Sequence, residues 1–305
     1  MGKVALWWRA ARPFAFTVSV LPPILGAVIA VMENDDLVFH WFHFFLALIG
    51  CVIAHAAANM LSDYFDYKRQ VDRVGTYGSS GVLVEKLMSP KQILVGALIA
   101  FAVSGCTGIY FVFAIPGGFF LVWLILIGGG FGFFYTTGPV TFKYRALGDI
   151  AVFVSFGSAM ALGAYFVQAH HFSWKPVLYA IPLALLVDAV LHSNNLRDIK
   201  SDSVVDIKTL AMVLGEKGAI IMYQGLVFGA YIITILLIAA AGLTWISLIT
   251  FLSFPLALKL VKTVQHKNMI PEQQFATIDA STAQLHALFG ALFIVSLLLE
   301  YFVAR

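Results

Sequence analysis

Two short acidic runs hold the residues best suited to chemistry. The first contains Asn59, Ser62, Asp63, Asp66 and Asp72, and the second Asn194, Asn195, Arg197, Asp198 and Asp202. On a continuous helix Asn59, Asp63 and Asp66 stand at i, i+4 and i+7, and Asn195, Asp198 and Asp202 at i, i+3 and i+7, so each trio shares one face. Four carboxylates gathered in one space need cations. Hard oxygen ligands from Asp and Asn suit Mg2+, which takes one or two carboxylates and completes its shell with water and substrate phosphates. The pattern therefore predicts a diphosphate ligand, with Lys68, Lys143, Arg145 and Arg197 neutralising the rest of its charge and arginine able to bind it bidentately. Tyr135, which follows Phe134 at the end of an apolar run, either stabilises a developing carbocation, hydrogen-bonds a substrate group, or sits as an interfacial aromatic.

These residues must be positioned by membrane helices. The 305 residues are 61% hydrophobic and 11% charged, against about 25% charged in soluble domains. Each span needs about 20 apolar residues, so the chain has room for a helical bundle and no separate soluble catalytic domain. Apolar runs at 14–32, 42–62, 93–114, 117–135, 147–168, 175–194, 218–241, 243–261 and 283–303 predict an all-α membrane protein of nine transmembrane helices. The connections 63–91, 136–146, 195–217 and 262–281 are long and basic, and the alternate ones are short. With the N-terminus on the side of the long loops, Lys175 and Arg305 alone of the 19 Lys and Arg residues fall opposite. The positive-inside rule then makes the N-terminus and both acidic runs cytoplasmic. The two runs repeat at an offset of 135 or 136 residues, which predicts two four-helix pseudo-repeats plus a ninth helix, sharing a site at the repeat interface.

Several features carry no chemistry of their own. The N-terminus leads into a retained span without a signal-peptide cleavage site, and Gly2 lacks the Ser/Thr of a myristoylation signal. Cys51 and Cys106 sit in apolar runs as small hydrophobes. Charges follow the membrane topology and not a patch, which excludes nucleic acid as a partner and leaves the lipid bilayer. His170 and His171 lack a third metal ligand nearby, His286 reads as a packing residue, and Gly128, Gly129, Gly130 and Gly132 read as a close helix contact. Beyond the acidic rim the spans are rich in Phe, Leu, Ile and Val, which fits a long isoprenoid tail.

Taken together, Arg12-Pro13, Asn59-x3-Asp63-Tyr64-x-Asp66-Tyr67-x4-Asp72, Tyr135-Thr136-x-Gly138-Pro139 with Phe142-Lys143-Tyr144-x-Ala146-Leu147-Gly148-Asp149, and His192-Ser193-Asn194-Asn195-x-Arg197-Asp198-x3-Asp202 with Thr209-Leu210-Ala211 resemble the UbiA superfamily of intramembrane prenyltransferases. The Lys143 loop is most similar to the 1,4-dihydroxy-2-naphthoate and vitamin-K-forming branch. The resemblance runs through most of the chain and implies a single domain over 1–305. It implies that Asp63, Asp66, Asp198 and Asp202 hold Mg2+ on a polyprenyl diphosphate. Asn59, Asn194 and Asn195 would stand beside them, with Lys143 and Arg197 on the phosphates. Ser62 replaces the Asn usual in the family, and the further Asp falls at Asp72. The implied reaction is prenyl transfer to an aromatic quinone precursor, with loss of its carboxyl group, in menaquinone biosynthesis. The expected setting is a bacterial or archaeal cytoplasmic membrane. Other acceptors of the same class, 4-hydroxybenzoate and homogentisate among them, are alternatives. A secondary transporter is the rival class, but carriers place ionisable residues in mid-span on broken helices, whereas these lie at helix ends with basic neighbours.

Overall fold

The computed structural model describes residues 2–205 and 207–303. Arg305, expected on the outer side, lies outside the described residues. Ten helices follow one another: α1 (Lys3–Ala11), α2 (Thr17–Glu33), α3 (Trp41–Lys68), α4 (Pro90–Ala114), α5 (Phe120–Phe133), α6 (Gly148–Ala169), α7 (Lys175–Asp202), α8 (Leu210–Ala240), α9 (Trp245–Gln265) and α10 (Glu272–Val303). Among the described residues no strand forms, and an isolated β-bridge joins Arg145 and Lys208.

Local sequence explains the ends. Helix α1 stops at Arg12, which adopts φ 56° and returns its N–H to the Arg9 carbonyl, while Pro13 bars continuation. Helix α4 opens with Pro90 in its first turn and a capping box in which Ser89 and Gln92 satisfy each other's backbone N–H groups. Among the described residues eight helices are long and apolar enough to cross a membrane. The expected fourth span is the exception, because α5 has only 14 residues, about 21 Å of helix against about 30 Å of hydrocarbon. Its flanking residues are used in turns. At the far end the chain leaves the helix at Phe134 and folds back, with Phe142 and Lys143 N–H bonding the Phe134 and Tyr135 carbonyls at 3.1 and 2.9 Å.

The first helices of the two expected repeats, α2 and α6, pack against each other, and α10 lies against α2, α7 and α9. A Cβ on Gly26 would stand 2.8 Å from the Ala161 carbonyl carbon and 3.0 Å from the Tyr165 nitrogen, so glycine permits the α2–α6 contact. The core between the helices is closed by Tyr165, Tyr223, Phe289 and Phe293, while α4 turns Ile99, Val103, Ile109 and Phe113 outward. Helix α6 relaxes into a π turn over Phe153–Ala159, a local widening that often accompanies a site. The glycines at 128–130 differ from expectation, since a Cβ at each would meet nothing within 4 Å. They leave space instead of closing a helix contact.

The bundle has two distinct ends. At one, the His40 N–H bonds Gln168 at 3.0 Å and Lys175 meets Glu33 at 3.5 Å. At the other, α1, the loops after α3, α5 and α7, and the start of α10 come together around both acidic runs. Gly26→Leu is expected to abolish a monodisperse peak in fluorescence-detected size exclusion, whereas Gly225→Ala, with open space around it, is expected to leave that peak intact.

Candidate active site

Helices α3 and α7 are both 28 residues long and end in the acidic runs. The expected helical continuation is observed, and it buries Asp63, Asp66, Asn195, Asp198 and Asp202. Burying carboxylates at a membrane edge requires compensation, and Asp63 and Asp66 have drawn cations from elsewhere in the chain while Asp198 pairs with its neighbour. Asp63 accepts from Arg12 at the end of α1, and from the backbone N–H and hydroxyl of Ser80. Asp66 accepts from Lys143 Nζ at 2.7 Å, Tyr144 Oη at 2.7 Å and Ser62 Oγ at 2.9 Å. Asp198 takes both forks of its neighbour Arg197, at 2.8 and 2.7 Å.

The residue at 62 thus has a defined task, because Ser62 donates to Asp66. Asn59 caps the last turn of α1 through the Ala11 carbonyl at 3.1 Å, which fixes the approach of Arg12. The Lys143 loop is tied to the chain after α7 by Ala146 N–H to the Lys208 carbonyl at 2.7 Å and Lys208 N–H to the Tyr144 carbonyl at 3.1 Å. Arg69 stacks on the Tyr144 ring at 4.6 Å. Burial is the largest single influence on the Lys143 ammonium and opposes it, but electrostatic interactions with Asp66, Tyr144, Tyr135 and Asp72 together hold the group well above its ordinary pKa. The two runs converge: Asp202 lies within electrostatic reach of Lys143, Asp198 and Asp66.

Not every expected residue joins this group. Lys68 is exposed, with its ammonium 5.9 Å over the Tyr64 ring, and Arg145 is exposed beside Lys208. The helical and loop registers turn both outward. Arg197, expected on phosphates, is fully engaged by Asp198, by the Ala276 carbonyl at 2.9 Å and by Asp279 at 2.9 Å. Asn194 donates to the same Asp279 oxygen at 3.2 Å. Tyr144, Ser80 and Asp279 were not foreseen. Asp279 opens an apolar helix, and a carboxylate in that setting is a signal in its own right. Asp72 joins the first run; burial, reinforced by the charges of Asp66 and Asp63, pushes its carboxyl up to about 8.

Among the described residues no three His, Cys, Asp or Glu side chains form a metal-holding group; Asp63, Asp66 and Asp198 have each turned to a cation of the chain. The donor set nevertheless fits a hard divalent cation. It is all carboxylate and amide oxygen, and the buried Asp72 Oδ2 has no partner.

A cavity of about 140 Å³ opens between these groups, with Arg12, Asn59, Ser62, Tyr135, Lys143 and Asn194 at its polar end. Its other end, at His55, Ala58, Gly132, Ser155 and Phe156, is shared with an apolar cavity of about 240 Å³. Glycines 50, 105, 108, 128, 129 and 163 line that second space, which ends at Phe111, Leu121 and Val167. The arrangement is a polar chamber with a long apolar extension, able to hold an anionic head and a hydrocarbon tail at once.

Comparison with known proteins gives a consistent picture. A model of the UbiA prenyltransferase family matches residues 20–285. The chain is 33% identical to a 1,4-dihydroxy-2-naphthoate octaprenyltransferase of Bacillus subtilis over 99% of its length and 94% of the relative. It is 30% identical to human UbiA prenyltransferase domain-containing protein 1, over 97% of this chain and 84% of that one. Among solved structures, a UbiA homologue from Archaeoglobus fulgidus bound to DMAPP and Mg2+ superposes with TM-score 0.60 at 17% identity, covering 94% of this chain and 98% of that one. The apo structure of a homologue from Aeropyrum pernix K1 gives 0.65 at 14% identity, covering 92% and 97%.

Removing one member of a buried ion pair costs about 3–5 kcal/mol, so Arg12→Ala, which strands Asp63, is expected to lower thermal stability in detergent by that order. Glu85→Ala, which breaks the exposed pair with Arg9, is expected to leave the melting temperature unchanged.

Proposed function

We propose that this chain, which belongs to the UbiA prenyltransferase family, transfers a polyprenyl group from its diphosphate to 1,4-dihydroxy-2-naphthoate in menaquinone biosynthesis. It is a multi-pass membrane prenyltransferase. The observation that carries the finer reading is the joined cavity, in which a chamber lined by Arg12, Lys143, Asn59, Asn194 and Asp279 continues into a glycine-lined apolar space. That shape and charge suit a prenyl diphosphate, the class of ligand named for the Archaeoglobus structures. The carboxylated naphthoate is supported by the naphthoate-prenylating relative from Bacillus subtilis.

In this reading Asp63, Asp66, Asp198 and Asp202 would hold Mg2+, with Asn59, Asn195 and Asp72 beside them. Bound there, the metal would supply positive charge toward a leaving diphosphate. Arg12 and Lys143, freed from carboxylates that take a metal, would turn to the phosphates, and Arg197 would hold Asp198 in place. These groups act where charge develops, since breaking the allylic C–O bond leaves a carbocation-like prenyl group and moves its electron pair to the diphosphate. The electron-rich ring attacks the prenyl carbon, and carbon dioxide leaves from the attacked position. The tail would lie along Gly128, Gly129 and Gly132, away from water.

The reading also takes 1–305 as one domain with α5 and its flanking turns as a ninth crossing. The N-terminus and the site would face the cytoplasm of a bacterial or archaeal cell, as the basic loops favour. A 4-hydroxybenzoate or homogentisate acceptor is the second reading.

The test is prenyl transfer in detergent from radiolabelled geranylgeranyl diphosphate, with Mg2+ or EDTA, to each acceptor in turn. Mg2+-dependent product with the naphthoate alone is expected, and product with the benzoate alone would move the acceptor. Asp63→Ala or Asp198→Ala is expected to lower turnover by about two orders of magnitude or more, while normal turnover in either would sink the metal assignment. Gly129→Phe is expected to abolish transfer of the long tail and to spare dimethylallyl transfer.

A further inference from the structure

The polar chamber and the apolar extension share a neck formed by His55, Ala58, Gly132, Ser155 and Phe156. Two of these side chains are polar, and both have lone pairs to offer and no hydrogen left to give. Ser19 has one hydroxyl proton and donates it to the Phe16 carbonyl at 3.2 Å. Its oxygen, 3.1 Å from His55 Nδ1, therefore accepts, and Nδ1 carries the ring hydrogen. No carboxylate pairs with His55 among the described residues, so the buried ring is neutral. Its Nε2 is then a bare acceptor, with no hydrogen-bond partner among the described residues. Ser155 has spent its own proton on the Ala151 carbonyl at 2.7 Å, which leaves its oxygen able only to accept.

The His55 ring is held in place by more than Ser19. Phe156 meets it edge to face with 4.7 Å between centroids, and Phe16 does so at 5.8 Å. Along α3, His55 lies one turn before Asn59 and two before Asp63. Eight residues of helix put it about 12 Å beyond Asp63, past the space that a diphosphate on the carboxylates would fill. The other buried histidines are placed differently. His192 is engaged by the Ala219 carbonyl and by Asp149, each at 2.9 Å, and His286 meets Thr17 at 3.3 Å. Neither lines the two cavities, and nor does Asp188, one turn before His192.

Neither part of a prenyl diphosphate satisfies the lone pairs at the neck. An ionised diphosphate carries only acceptors, which repel them, and the tail has no polar atom. A buried acceptor without a donor is costly, and a hydroxyl group is the partner that fits. We propose that His55 selects the aromatic acceptor: Nε2 receives the hydrogen bond of a ring hydroxyl, and so determines which aromatic is taken and how its ring faces the prenyl carbon. The inference rests on the hydroxyaromatic acceptor proposed above. In 1,4-dihydroxy-2-naphthoate the 1-hydroxyl is held by the neighbouring carboxylate, so the 4-hydroxyl is the free donor. Bound to His55, it sets the ring at the junction of the head chamber and the tail space, where the carbon that joins diphosphate to tail must lie. The same lone pairs repel the acceptor's carboxylate, which leaves the ring one way round. A site that demands a hydroxyl in this manner discriminates strongly against an analogue without it.

Acceptor affinity is read by anaerobic calorimetry on the full chain in detergent, with Mg2+ and an unreactive geranylgeranyl thiodiphosphate present. The two probes are 1,4-dihydroxy-2-naphthoate and 1-hydroxy-2-naphthoate, which lacks the 4-hydroxyl. Wild type is expected to bind the second about 10–100-fold more weakly, the range for a buried polar group left unpaired. His55→Leu is expected to weaken binding of the dihydroxy compound by that factor, and to leave the monohydroxy compound within about threefold of its wild-type affinity. KM for geranylgeranyl diphosphate is expected to stay unchanged. His55→Gln, whose amide oxygen accepts a hydrogen bond, is expected to recover most of the lost affinity. Equal wild-type affinity for the two probes, or an equal loss for both in His55→Leu, would overturn the proposal, since a general disturbance of the neck does not single out one hydroxyl. If His55→Leu does not fold, the wild-type comparison and His55→Gln carry the test. A wild type that binds neither the naphthoates nor 4-hydroxybenzoate would overturn the acceptor reading and this inference with it. One that binds the naphthoates but is indifferent to the 4-hydroxyl would overturn this inference alone.

Discussion

A carboxylate carried to the edge of a bilayer must find a positive charge or a proton, and that demand organises the charged end of this bundle. Asp63, Asp66 and Asp198 are each met by a cation from the chain, at Arg12, Lys143 and Arg197. Those cations belong to α1, to the loop after α5 and to α7 itself, so the loops are held down by the charges they neutralise. The long loop after α3 is drawn in the same way, through Ser80 onto Asp63. Order in the segments above the membrane is therefore a result of electrostatics within it.

The apolar half of the site is built by omission. A bundle packed by Leu and Phe throughout would fill its own centre, and the glycines along α3, α4, α5 and α6 prevent this. The π turn in α6 adds to the effect by bringing Ser155, Phe156 and Ala159 to the same space. Where glycine does allow close approach, at Gly26 against Ala161 and at Gly157 against Ala184, the contact fixes α6 between α2 and α7. Small residues thus act in two opposite senses in one fold, and the neighbour decides which.

That distinction marks the limit of what the sequence discloses. The helical spacing of Asn59, Asp63 and Asp66, and of Asn195, Asp198 and Asp202, could be read because a helix face is a local property. The basic loops gave the shared end of the bundle for the same reason. Gly128 to Gly130 were misjudged, since whether a glycine touches a neighbour depends on a helix elsewhere in the chain. The length of α5 was overestimated because apolar residues that serve in a turn look like those that serve in a span. The bonds from Arg12 to Asp63, Tyr144 to Asp66 and Asn194 to Asp279 join residues 51, 78 and 85 positions apart, and no periodicity reveals such a choice. Asp188 was open to detection, as a carboxylate inside an apolar run.

The pairing of Arg197 with Asp279 has a consequence for how the protein is made. Helices enter the membrane in order of synthesis, and Asp63 meets Arg12 from a segment already translated. Arg197 arrives with Asp198 at hand, but its second partner belongs to the last helix, as does the Ala276 carbonyl. Until that helix is inserted, the wall carrying Asn194 and Asp279 is incomplete. The reactive chamber thus closes only at the end of biogenesis, and a nascent chain stalled short of its final span holds the acidic residues without the enclosure that gives them a ligand.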